Sequence, residues 1–207
     1  MSTVPTLSTK HKIGIICEGF EDHAYISRLL ELNVWNDIYE FIPINAKSAS
    51  NIFPVYQDKY SNDKYELVLI FCDTDKRPYR EYLPLKNQLN EFHGNTDAAD
   101  KIVIFANPCT MQIILSHFGD VSLKNQGKKT NANIIYELTG VNNYDAHEDQ
   151  ITELCSKIFK RTYEPMKERI RNINNGDDIS ASTNFIEFIE KFESDDARWI
   201  QDINDLL

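Results

Sequence analysis

Two short apolar runs end in carboxylates. Residues 12–19 read Lys-Ile-Gly-Ile-Ile-Cys-Glu-Gly and place Glu18 at the end of the first run; residues 67–75 read Leu-Val-Leu-Ile-Phe-Cys-Asp-Thr-Asp and place Asp73 and Asp75 at the end of the second. Asp22 follows Glu18 by one helical turn. Carboxylates gathered at one point repel each other, and a divalent cation resolves that repulsion. An all-oxygen donor set suits Mg2+, with Mn2+ as the alternative, and Mg2+ needs only one or two carboxylates besides water and substrate phosphate. Lys76, Arg77 and Arg80 lie just beyond the second set. They form either a phosphate clamp or a solvated turn that balances the acids. Lys124, Lys128 and Lys129 form a second basic group with the same two readings, nucleic-acid binding or solvation. The acids have plainer readings too. Glu18 would cap a following helix, Asp22 would be an ordinary first-turn acid, and Asp73 with Asp75 would close a strand in an Asx-type turn. Glu21 reads as solvated. His117 reads as a core or helix-terminal histidine, with a secondary place as a site candidate.

The elements that must position these residues follow from periodicity. Strands are expected over 12–17, 39–44, 67–72 and 101–105. Helices are expected over 21–32, from 51 onward with Pro54 in its early part, over 82–92, and over 111–118 after Pro108. Strands alternating with helices predict an α/β fold: a parallel sheet flanked by helices and joined by right-handed crossovers. Ligands of such sheets bind beyond the carboxyl ends of the strands, where the acids would meet if their strands are neighbours. After a polar stretch at 119–130 the chain reads helical at 132–139, at 147–173 with Pro165 kinking or splitting it, and at 183–206 with a break near Ser194. Phe185, Phe188 and Phe192 share one helical face and read as packing. The division expected is a flexible leader over 1–10, an α/β core over 11–120 and a helical C-terminal region over 121–207.

The ordered pair of motifs resembles the Toprim domain, the magnesium-dependent module of topoisomerases, primases and small nucleases. Its strand–Glu-Gly-x-x-Asp–helix motif corresponds to Glu18-Gly19-Phe20-Glu21-Asp22, and its strand–Asp-x-Asp motif to Asp73-Thr74-Asp75. Many members carry Gly a few residues later, where this chain has Pro78. A second segment, Phe105-Ala106-Asn107-Pro108-Cys109 with His117 and Phe118, is similar to RloB-like proteins, small Toprim proteins encoded near bacterial defence systems. Where that pattern carries Phe-Glu-x-Trp, this chain has Thr110, Met111 and Ile113, so the Glu has no counterpart. The resemblance implies a Toprim-like (Rossmann-like) sheet and a metal-dependent nuclease in antiphage defence, acting on DNA or RNA, tRNA included, with an ATPase partner. Asp73 and Asp75 would hold Mg2+ on the scissile phosphate, and Glu18 would be a ligand or general acid/base. The alternative is a catalytically weak regulatory or docking subunit of a larger defence complex.

Composition limits the choice. With 207 residues, the chain is long enough for a full core but too short for a topoisomerase or primase apparatus. Net charge is −10, which argues against a general high-affinity nucleic-acid binder. The charge is uneven: Lys157 to Arg171 holds six basic and two acidic residues, and Asp177 to Leu207 holds nine acidic and two basic. The basic stretch would either track a nucleic acid or pair with the acidic tail. Cys17, Cys72, Cys109 and Cys155 show no Cys-x-x-Cys spacing and read as reduced, mostly buried side chains. No Gly-rich phosphate loop is present. The polar first ten residues do not read as a signal peptide, no apolar run is long enough to span a bilayer, and a cytoplasmic location without membrane contact is expected.

Overall fold

The computed structural model describes residues 10–74, 81–124, 128–178 and 181–207, with the side chain of Lys128 excluded. The first 110 residues alternate strand and helix: β1 (His11–Cys17), α1 (Phe20–Glu31), β2 (Tyr39–Asn45), α2 (Ala49–Tyr60), β3 (Leu67–Asp73), α3 (Tyr82–His93), a short α4 (Ala98–Ile102) and β4 (Val103–Asn107). Then come α5 (Met111–Leu115), α6 (Lys128–Thr139), α7 (Glu148–Ser156), α8 (Lys160–Arg171), β5 (Ser182–Thr183), α9 (Phe185–Glu193) and α10 (Arg198–Asn204). The chain is thus an α/β protein. Its sheet, among the described residues, has five strands in the order β2-β1-β3-β4-β5. The first four are parallel and β5 is antiparallel to β4.

The two acid-bearing runs are adjacent, β1 pairing with β3 from Ile13–Leu67 to Cys17–Phe71. Both are covered on their two faces: Ile13, Ile15, Ile16, Cys17 and Leu69, Ile70, Phe71 have no exposed surface. This is why each reads as a continuous β-branched and apolar run rather than an alternating one. The described C-terminal residues join the same core. Phe185 packs on Phe71 at 5.3 Å between ring centroids, and Phe192 packs on Phe41 at 4.6 Å and on Trp35 at 4.8 Å, as expected of that aromatic stripe. The Trp35–Phe192 pair is edge-to-face and the other two are tilted; aromatic pairs in favourable geometry contribute about 0.5–1.5 kcal/mol each beyond area. No helix among the described residues is long and apolar enough to cross a membrane.

Four local expectations are revised. The strand expected from Lys101 begins at Val103, because Ala98–Ile102 closes a short helix and pairing with β3 starts only at Val103 opposite Ile70. The helix expected over 147–173 breaks at 157–159, not at Pro165. There Phe159 is extended and Thr162 Oγ1 turns back to donate to its carbonyl at 2.8 Å, while α8 runs on through Pro165. The helix expected over 111–118 ends at Leu115, the chain going on to Phe118 in tighter turns with bonds such as Phe118 N–H to the Leu115 carbonyl. The strand β5 lies where only helix and loop were expected. Its pairing is short, and Asn184 extends it with side-chain bonds to the Phe105 N–H at 2.9 Å and the Val103 carbonyl at 2.8 Å.

The basic stretch over 157–171 mostly pairs with acids. Lys167 meets Glu193 at 2.8 Å and Glu164 at 3.0 Å, Arg171 meets Glu190 at 3.1 Å, and Arg169 meets Asp120 at 3.3 Å. Of the two expected roles, pairing with the acidic tail is the one the contacts support. Among the described residues the four cysteines are free, and all but the half-buried Cys109 are buried.

Candidate active-site cleft

The acids meet because β1 and β3 end side by side. Glu18 leaves β1 and its Oε2 accepts from the Asp73 backbone N–H across the strands at 3.2 Å. Its own N–H donates to the Phe71 carbonyl at 3.1 Å, continuing the ladder one residue past the strand. The cap of α1 that the structure shows comes from another acid. Asp22 reaches back from the third helical position to the Gly19 N–H at 2.9 Å. Gly19 itself is extended (φ −140°), a conformation open to any residue, and a Cβ there would meet nothing closer than Asp22 Oδ2 at 4.0 Å. The space beside it belongs to the cleft.

Thr110, which the sequence reading passed over, joins the two strands' acids. It has no exposed surface. Its N–H donates to Asp73 Oδ1 at 2.7 Å, and its hydroxyl lies 3.1 Å from the same oxygen and in a short contact with Asp22 Oδ1. Both Asp22 oxygens thus accept from the protein, and Asp22 is only 4 % exposed. Asp22 thus stands beside Glu18 and Asp73 in the cleft lining with both oxygens also bonded to the protein. Burial pushes the Asp73 carboxyl well above the usual range, and the charges of Asp22, Glu18 and Glu21 add to the effect, against the Thr110 N–H. The Cys72 thiol is pushed up by burial and then by the charges of Glu18, Asp73 and Asp22.

A cleft of about 520 Å³ opens over this floor, and the other wall comes from the C-terminal region: Leu123, Asn131 and Ile135 on and before α6, and Tyr144 after it. Tyr144 donates its hydroxyl to Glu21 in a short hydrogen bond, tying that wall to the first turn of α1. Glu21 is thus half-buried and bonded, not solvated as expected. Lys124 is exposed, and its backbone N–H and carbonyl bond the Asn131 side chain at 3.3 and 3.0 Å, which holds it beside the cleft wall. Lys129 is exposed on the first turn of α6. The side chain of Lys128, and all of Asp75, Lys76, Arg77 and Arg80, lie outside the described residues.

His117 does not line the cleft. It is 3 % exposed, with Nε2 3.0 Å from the Tyr25 hydroxyl and Nδ1 2.9 Å from Thr162 Oγ1, and burial lowers its pKa to about 3. It is a neutral core histidine joining α1, the end of α5 and α8, which settles its two readings in favour of packing. Met111, where the resembled pattern has Glu, is 2 % exposed at the cleft and offers no carboxylate.

The donor set fits a hard divalent cation in kind: oxygens alone, from carboxylates that crowd and repel. Among the described residues no group of three or more His, Cys, Asp or Glu stands close enough to hold a metal ion. Of the expected ligands among the described residues, Glu18 and Asp73 face the cleft together and would hold it, with water and substrate completing its shell. Compared with known proteins, the chain matches no family model, no curated protein and no solved structure.

Proposed function

We propose that the cleft is the active site of a metal-dependent phosphodiester hydrolase of Toprim type, acting on nucleic acid. The observation that carries this is the contact between Glu18 and Asp73, two acids from the ends of neighbouring parallel strands, in one cleft with Asp22 and with Thr110 bonded to Asp73. Mg2+ or Mn2+, when bound, would neutralise phosphate charge and stabilise the oxyanion that develops on it. The chain's own residues supply the rest. Asp73 is held in one orientation by the Thr110 N–H and Glu18 by the Asp73 N–H, so neither has to reorganise during reaction. Glu18 is also the candidate general acid/base, standing beside Asp73 on the cleft floor. Lys124, whose backbone is bonded to the cleft residue Asn131, and Lys129 on the first turn of α6 are the exposed bases proposed to meet a phosphate chain. The RloB-like resemblance extends the proposal to an effector of antiphage defence working with an ATPase partner.

A second reading, a docking subunit with weak activity, is favoured by Met111 in place of the family's Glu. A calorimetric Mn2+ titration of the isolated protein separates the two. The hydrolase reading expects saturable binding that Glu18→Gln weakens at least ten-fold; wild type without Mn2+ binding favours the docking reading.

A further inference from the structure

We infer that the cleft is shaped for one unpaired nucleotide, so that the substrate is single-stranded or locally unpaired nucleic acid; this rests on the hydrolase reading above. The two walls differ in chemistry. The floor presents Glu18 and Asp73, and the facing wall is largely apolar, with Leu123, Ala132 and Ile135 beside the half-buried Phe20. A nucleotide has the same asymmetry: a charged phosphate at one end and a base with apolar faces at the other. With its phosphate on the floor, the base would rest against the α6 wall.

Size and access point the same way. A cleft of about 520 Å³ falls within the roughly 300–1,000 Å³ typical of small-ligand pockets. That accommodates a nucleotide and not a stretch of double helix. The floor lies opposite a second wall. α6 faces it across the cleft, and the Tyr144–Glu21 hydrogen bond joins the segment after α6 to α1. The phosphates of a rigid duplex run along its outside beside stacked, paired bases, so a phosphate that enters between the floor and α6 does so most readily when its nucleotide leaves the stack. Enzymes that work on an extruded nucleotide bear an unpairing cost of a few kcal/mol, which is absent for a single strand.

The test compares labelled 12-nucleotide single strands of DNA and RNA with fully paired duplexes of the same sequence. Binding is read by fluorescence anisotropy in Ca2+ and cleavage in Mn2+. The expected result is at least ten-fold tighter binding and faster cleavage of one or both single strands. Ala132→Trp, which fills the apolar wall, should weaken single-strand binding at least ten-fold while its circular-dichroism melt stays cooperative; should that variant not fold, the wild-type comparison decides alone. Duplexes bound and cut as well as single strands would overturn the inference and leave the hydrolase standing. Absence of cleavage on every substrate would overturn the hydrolase reading, and this inference with it.

Discussion

Asp73→Asn should stabilise the metal-free protein while removing its response to metal. In the native structure the Asp73 charge is disfavoured by burial and by three neighbouring acids, Asp22, Glu18 and Glu21. Asparagine keeps an oxygen for the Thr110 N–H, now at 2.7 Å from Asp73 Oδ1, and its amide can donate toward Glu18. Relief of functional strain of this type commonly yields about 0.5–2 kcal/mol. For a chain of this length each kcal/mol moves Tm by about 2–4 °C, so a rise of roughly 1–8 °C is expected in EDTA. The pH dependence has a definite sign. The native Asp73 pKa lies above its ordinary 3.8, so between those two values the folded state binds more protons than the unfolded one. Its contribution is therefore present below pH 3.8 and is lost as pH rises through the native value. Asp73→Asn removes that downward slope. With Mn2+ the order reverses: at one hundred times its Kd a ligand adds about 2.7 kcal/mol to wild type and little to the variant. Differential scanning fluorimetry across pH, with EDTA and with Mn2+, reads all three effects. A variant that melts below wild type in EDTA would refute the reasoning, since the carboxylate would then be stabilised by its surroundings.

Three further outcomes follow from the same contacts. Thr110→Val keeps the N–H bond to Asp73 but removes the hydroxyl between Asp22 and Asp73; a hydrogen bond to a charged group is worth about 1.5–3 kcal/mol, so urea unfolding should show a loss of that size. His117, with a pKa lowered to about 3 from 6.5, stays neutral in the fold while the unfolded chain takes up a proton. Its contribution is thus lost as pH falls from 6.5 toward 3, at up to about 1.4 kcal/mol per pH unit, and His117→Gln should flatten that part of the stability–pH curve. Lys167→Ala removes the partner of Glu193, held at 2.8 Å, and should cost about 1–3 kcal/mol by thermal melt, above the range of a fully exposed pair.

Much of the architecture was legible because it is written in local pattern. The β-branched runs before Glu18 and Asp73 are short and uninterrupted, as strands buried on both faces must be. That they lie in one parallel sheet followed from the alternation of strands and helices; that they are neighbours came only with the pairing of β1 and β3. The parts that were not legible depend on contacts distant in sequence. Nothing in the run Asn-Pro-Cys-Thr marks Thr110 as the residue between Asp22 and Asp73; the only signal was its place just past the carboxyl end of β4, where site residues gather. Tyr144 and the apolar face of α6 carry no motif, and their place in the cleft comes from how α6 packs on α5 and α7 on α1. His117 was ambiguous in sequence because a histidine ending an apolar helix suits a site and a core equally. The partners that decide, Tyr25 and Thr162, lie 92 and 45 residues away. The two-residue β5 was hidden because Ser182-Thr183 has no strand pattern of its own and is held by side-chain bonds to β4.

The most direct test of the central claim is cleavage of plasmid DNA, single-stranded DNA and total tRNA in Mg2+ and in Mn2+, comparing wild type with Glu18→Gln and Asp73→Asn. The account predicts metal-dependent cleavage of at least one substrate by wild type, reduced about 10²-fold or more in both variants, as expected when a preorganised charge-stabilising group is removed. Wild type inert on every substrate with both metals, or either variant cleaving at the wild-type rate, would contradict it.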